Sequence, residues 1–195
     1  MKLVLASGSS SRAQILRDAG VTFAIHPADI DEDAVKHEMR NAGAQAIAEK
    51  LAELKSLQIS TQFPQDLVLG ADQVLALDNE IFSKAETLDA AAAQLRRMRG
   101  KCHQLVGALV LARDGKPVWR HTEISKLWVR AFSEEFLKDY LKTEGKALLG
   151  SVGCYRLEGM GAQLFERVEG DYFSILGLSL LPLVGALRDH GVLEP

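Results

Sequence analysis

The sequence predicts an α/β protein with a mixed, twisted sheet and flanking helices, and three observations carry that prediction. The chain opens as strand, loop, helix, strand; Ala-rich amphipathic segments separate later apolar runs; and Asp-Gly and Gly-Asp dipeptides lie between apolar runs as hairpin signals. Crossover helices favour parallel neighbours and hairpins force antiparallel ones, so both kinds of pairing are expected in one sheet.

Each element has its own signal. Lys2–Ala6 reads as a strand, Ser11–Ala19 as a helix stopped by Gly20, and Val21–Ile25 as a second strand. From Ala42 to about Leu57, Ile47, Leu51 and Leu54 recur at helical spacing, which predicts an amphipathic helix lying on the sheet. Leu67–Leu77 reads as a buried strand, Asp78-Asn79-Glu80 as a turn, and Thr87 with Asp89 as the cap of a helix ending at Gly100. Val106–Ala112 and Val118–Ala131 flank Asp114-Gly115 as a hairpin, and Ser133-Glu134-Glu135 starts a helix running to Thr143. A second hairpin is expected with Gly170-Asp171 between Gln163–Val168 and Tyr172–Leu176. Ser179 then caps a terminal helix that ends at Gly191 and turns Leu180, Leu183, Val184 and Leu187 inward.

Length and composition narrow the function. The chain has 195 residues, ample for one core or for two lobes, and residues 1–195 are expected to form a single domain. A net charge of −3 without a basic block argues against a protein that grips duplex nucleic acid by its phosphates. Cys102 and Cys154 have neither metal-ligand spacing nor the density of a disulfide framework, which points to a reducing cytoplasm. The apolar run at the amino terminus is too short for a signal peptide or a membrane span, so a soluble protein is expected.

The chemistry is concentrated in a few places. Ser7-Gly8-Ser9-Ser10-Ser11-Arg12 empties a strand into an anion-sized loop, where small residues let the backbone approach a phosphate and the following helix presents unpaired N–H groups. Taken alone, the same loop also reads as a Ser-rich helix cap. Asp72 interrupts a long apolar run, where a carboxylate costs several kcal/mol if buried without a partner. It is a candidate general base, or else marks a bend where the strand leaves the core. Lys50 borders the apolar stripe of its helix, either reaching over the sheet edge or snorkelling into water. Lys84 lies in a loop before a capped helix. The acidic run Asp29-Ile30-Asp31-Glu32-Asp33 is either a solvated helix start or a source of oxygen ligands for a hard divalent cation.

In this order along the chain, these elements resemble the Maf family of nucleoside triphosphate pyrophosphatases. The family's opening Ser-x-Ser-Pro-Arg-Arg-x-Glu-Leu-Leu is matched by Ser7 to Leu16, with its second arginine kept as Arg12. Its Gly-Ala-Asp-Thr appears as Gly70-Ala71-Asp72-Gln73, and further matches are Glu32, Lys50, Lys84 and the Gly100-Lys101-Cys102-His103 turn. Gly170-Asp171-Tyr172 and Leu176-Gly177-Leu178 match near the end. The resemblance implies a bilobed fold like that of inosine triphosphate pyrophosphatases, with a central cleft. It implies Asp72 as general base, Ser7, Arg12, Lys50 and Lys84 as phosphate contacts, and Glu32 with Asp72 holding Mg²⁺ or Mn²⁺. The implied substrate is a modified or pyrimidine nucleoside triphosphate and the implied assembly a homodimer.

Several positions depart from the family pattern. Ser151 stands for a lysine and Glu158 for a glutamine, and an ionised Glu only accepts hydrogen bonds where Gln also donates, so the partner read at Glu158 must differ or present donors. Gln73, Ser11, Ala85 and Ser179 are milder changes. Two other readings remain open: a non-catalytic nucleotide-binding or cell-division module, and a phosphatase releasing orthophosphate.

Overall fold

A computed structural model describes residues 1–78 and 80–194, so Asn79 of the expected turn lies outside the described residues. Among the described residues seven strands form one mixed sheet in the order β2-β1-β3-β5-β6-β7, with β4 on β3. These are β1 (Leu3–Leu5), β2 (Phe23–Ile25), β3 (Leu67–Leu77), β4 (Glu80–Phe82), β5 (Cys102–Arg113), β6 (Lys116–Val129) and β7 (Phe165–Glu169). The helices are α1 (Ser10–Asp18), α2 (Glu32–Glu38), α3 (Gly43–Ser60), α4 (Leu88–Met98), α5 (Glu134–Glu144), α6 (Tyr172–Ile175) and α7 (Leu180–Asp189). Strand β1 runs parallel to both β2 and β3, while β4 on β3 and β7 on β6 are antiparallel, as the mixture of crossovers and hairpins requires. Asp114 and Gly115 both take positive φ between β5 and β6, the geometry of a tight hairpin turn.

Packing divides the chain into two compact units. The first comprises residues 1–73, 107–123 and 171–195. Its core joins Leu3, Leu5, Leu16, Leu67, Leu69 and Leu111 to Leu183 and Leu187 of α7. The second comprises residues 74–106 and 124–170. Leu95 and Met98 of α4, Leu127 of β6, and Leu137 and Tyr140 of α5 are buried there. Among the described residues no helix is long and apolar enough to cross a membrane.

Two expectations are corrected. The segment read as a strand at Tyr172–Leu176 is the short helix α6, because the Asp171 carboxylate accepts from the Ser174 N–H at 2.7 Å and caps a turn. The strand before it, β7, pairs with β6 instead. Ser179 occupies the cap position of α7 but makes no capping hydrogen bond; its Oγ accepts from the Ser174 hydroxyl at 2.8 Å. The acidic run starts a helix, with Asp31 capping α2 through the Ala34 N–H at 2.9 Å.

Candidate active site

Asp72 is 5% exposed in β3, and the helix opposite makes that tolerable. The inward face of α3 carries Ile47, Ala48, Leu51, Ala52, Lys55, Ser56 and Ile59. A Cβ built on Gly70 would lie 2.1 Å from the Ala52 carbonyl oxygen and 2.6 Å from the Ser56 nitrogen. No residue other than glycine permits so close an approach of helix to strand. It brings Lys55 Nζ to 2.7 Å from Asp72 Oδ1. The same ammonium is 2.5 Å from Glu32 Oε1, on the first turn of α2. One cation therefore bridges a buried and a half-exposed carboxylate, which offsets the desolvation of Asp72.

Beside this trio the opening loop is tied to α1. Ser9 Oγ caps the helix by accepting from the Arg12 N–H at 3.4 Å. Ser7 Oγ accepts from the Ser9 N–H at 3.3 Å and from Arg12 Nη1 at 3.1 Å. Arg12 Nε donates to the Gly177 carbonyl at 2.9 Å. Gly177 has φ +109°, a backbone conformation open to glycine and strained for other residues. Gln73 Nε2 donates to the carbonyls of Ser174 and Ile175 at 2.8 and 3.3 Å, so the turn after α6 is held by two side chains. Burial pushes the Arg12 guanidinium below its ordinary pKa, while the charges of Asp72 and then Glu32 push it back up. It stays protonated.

The structure thus brings Ser7, Arg12, Glu32 and Asp72 together in the first unit. The lysine at their centre is Lys55, which the sequence reading did not single out. Lys50 is exposed; five residues along a helix turn the side chain by about 140° away from Lys55. Lys55 had a legible signal, because it stands between Ala52 and Ile59 in an apolar stripe at helical spacing.

Lys84 and Glu158 belong to the second unit. Lys84 is exposed in the loop between β4 and α4, next to Ser83, whose carbonyl accepts from Gln94 Nε2 at 2.8 Å. Glu158 Oε1 accepts from Arg156 Nε at 3.2 Å. Arg156 Nη1 is also 3.2 Å from Glu144 Oε2, and Glu144 Oε1 accepts from the Met160 N–H at 2.9 Å. The hydrogen bond that Arg156 donates to Glu158, followed by the charges of both carboxylates, holds its guanidinium above its ordinary value against the cost of burial. Two carboxylates and one guanidinium leave this trio net negative.

Among the described residues no three His, Cys, Asp or Glu side chains gather as a metal cage. Asp72 and Glu32, each turning one oxygen to Lys55, fit the other common arrangement, in which one or two carboxylates share Mg²⁺ with substrate phosphates.

Comparison with known proteins is consistent across the chain. The family model described as Maf-like protein matches residues 2–190. A nucleoside triphosphate pyrophosphatase of Granulibacter bethesdensis is 52% identical over 195 residues, covering 99% of both chains. One of Maricaulis maris is 50% identical over 99% of this chain and 98% of its own. A 7-methyl-GTP pyrophosphatase of Brucella suis is 47% identical over 96% of each chain.

Proposed function

The chain belongs to the Maf family, and from that membership we propose that it hydrolyses a nucleoside triphosphate at the α–β phosphate bond, releasing pyrophosphate and a nucleoside monophosphate. The observation that carries the reading is the Lys55 ammonium bridging Asp72 and Glu32 beside the Arg12–Ser7 loop. Phosphoryl transfer asks a protein mainly for positioning and charge neutralisation, which this set supplies.

Each residue has a part. Asp72 Oδ1 is engaged by Lys55, which leaves Oδ2 to take a proton from the attacking water as it closes on the α-phosphorus. Lys55 holds the carboxylate in place. Arg12, oriented by Gly177 and Ser7, and the backbone around Gly8 receive phosphate oxygens. Lys84 binds the triphosphate tail. Asp72 and Glu32 would hold Mg²⁺ or Mn²⁺, and such an ion, when bound, neutralises charge on the phosphates.

A substrate with a methylated, positively charged base is the second part of the reading. Relatives are named both nucleoside triphosphate and 7-methyl-GTP pyrophosphatase, and 7-methylguanine carries a ring cation. The net-negative Glu144–Arg156–Glu158 trio suits a cationic base better than a neutral one. Its free cysteines suit a reducing cytoplasm, and the working assembly is taken as a homodimer.

A nucleotide panel with Mg²⁺, including UTP, dTTP, GTP and 7-methyl-GTP and assayed separately for pyrophosphate and orthophosphate, tests the reading. Pyrophosphate with monophosphate is the expected product. Orthophosphate alone would make the protein a phosphatase, and tight binding without turnover would make it a nucleotide sensor.

A further inference from the structure

The residues on either side of Lys84 are held by one pair of side chains. Gln94 on α4 donates Nε2 to the Ser83 carbonyl at 2.8 Å, and its Oε1 accepts from the Cys154 thiol at 3.0 Å. On the other side of Lys84, the Ala85 backbone hydrogen-bonds the Cys154 sulfur. The thiol therefore links the far flank of Lys84 to the amide that holds the near one. Cys154 is fully buried at φ +53°, a left-handed conformation that costs any residue with a Cβ. A glycine would relieve that strain and lose the sulfur.

We propose that Gln94 and Cys154 are positioning residues that set the Lys84 loop so that its ammonium meets the triphosphate; the proposal rests on the phosphate-binding role given above to Lys84. The thiol decides the orientation of the amide. Burial pushes the Cys154 thiol up to about 11, so it stays protonated and donates to Oε1, which leaves the Nε2 hydrogens for Ser83. Gln94 is only half-buried, so replacing it leaves the core of α4, Leu95 and Met98, untouched.

The experiment pairs amide hydrogen exchange across residues 83–86 with KM and kcat for pyrophosphate release from 7-methyl-GTP and from UTP. In Gln94→Leu and Cys154→Ala, exchange in this loop speeds up and KM rises about tenfold while kcat holds within about threefold. Cys154→Ser keeps a donor and an acceptor and stays close to the parent protein in both readouts. Unchanged loop exchange in Gln94→Leu overturns the proposal. Faster exchange with unchanged KM also overturns it, provided Lys84→Ala raises KM. If Lys84→Ala itself leaves KM unchanged, the phosphate-binding role of Lys84 is what fails, and the purpose assigned to Gln94 and Cys154 falls with it.

Discussion

Lys55 Nζ stands 2.7 Å from Asp72 Oδ1, two residues 17 apart in sequence and both almost wholly out of solvent. A buried carboxylate in the middle of an apolar strand is affordable only with such a partner, and neither group would be stable there alone.

Replacing Lys55 with methionine leaves Asp72 as an uncompensated buried charge, and about 3–5 kcal/mol of stability should be lost. Urea unfolding at neutral pH measures it. The double variant Lys55→Met with Asp72→Asn should lose clearly less than Lys55→Met alone, because the charge is gone; equal losses would show that packing, not charge, was disturbed.

Asp72→Asn keeps the shape of the side chain and removes its capacity to take a proton. The expected result is a fall in kcat of about 10²–10⁴-fold with KM little changed, read in a pyrophosphate release assay. Full activity in this variant would place the general base elsewhere.

Arg12→Lys tests the forked contact. Arg12 reaches the Gly177 carbonyl with one nitrogen and Ser7 with another, and a single ammonium cannot do both. KM for the nucleotide should rise about tenfold with only a small change in melting temperature.

Glu158→Gln lowers the negative charge of the Glu144–Arg156–Glu158 trio. The ratio of kcat/KM for 7-methyl-GTP over GTP should drop about tenfold. A constant ratio would remove Glu158 from base recognition.

His103 gives a pH signature of stability. Burial lowers its pKa from 6.5 to about 4, and its Nε2 lies 2.7 Å from the Tyr155 hydroxyl. Between those two values the unfolded chain carries a proton that the folded chain refuses. The contribution of neutral His103 is therefore complete above pH 6.5 and is lost as pH falls toward 4, by about 3 kcal/mol. Chemical denaturation from pH 7 to 4 should show a shallower loss in His103→Phe than in the parent protein.

Much of the fold was legible because its cues are local. Apolar runs at β1 and β3, the Thr87 and Ser133 caps, and the Asp114-Gly115 turn each act through neighbours in sequence. Tyr172–Leu176 misled because four residues of a capped turn look like a short strand until Asp171 is seen to cap it. The site was legible where the residue type was itself out of place, as with Asp72. Lys55 escaped because a lysine near an apolar stripe is ordinarily read as snorkelling, and only the contact across to β3 shows otherwise. The partners of Glu158 were likewise hidden, since Arg156 is a neighbour with a second allegiance to Glu144.

Gly70 is given no contact with the nucleotide, yet it sets how near Lys55 comes to Asp72, since any Cβ there meets the Ala52 carbonyl at 2.1 Å. In natural variants of this gene, a change at that glycine would pass for a conservative alteration of the core. It would in effect pry the ammonium from the carboxylate. A surveyor of inactive alleles should weigh that position beside the charged ones, because the ruler here is an absence of atoms.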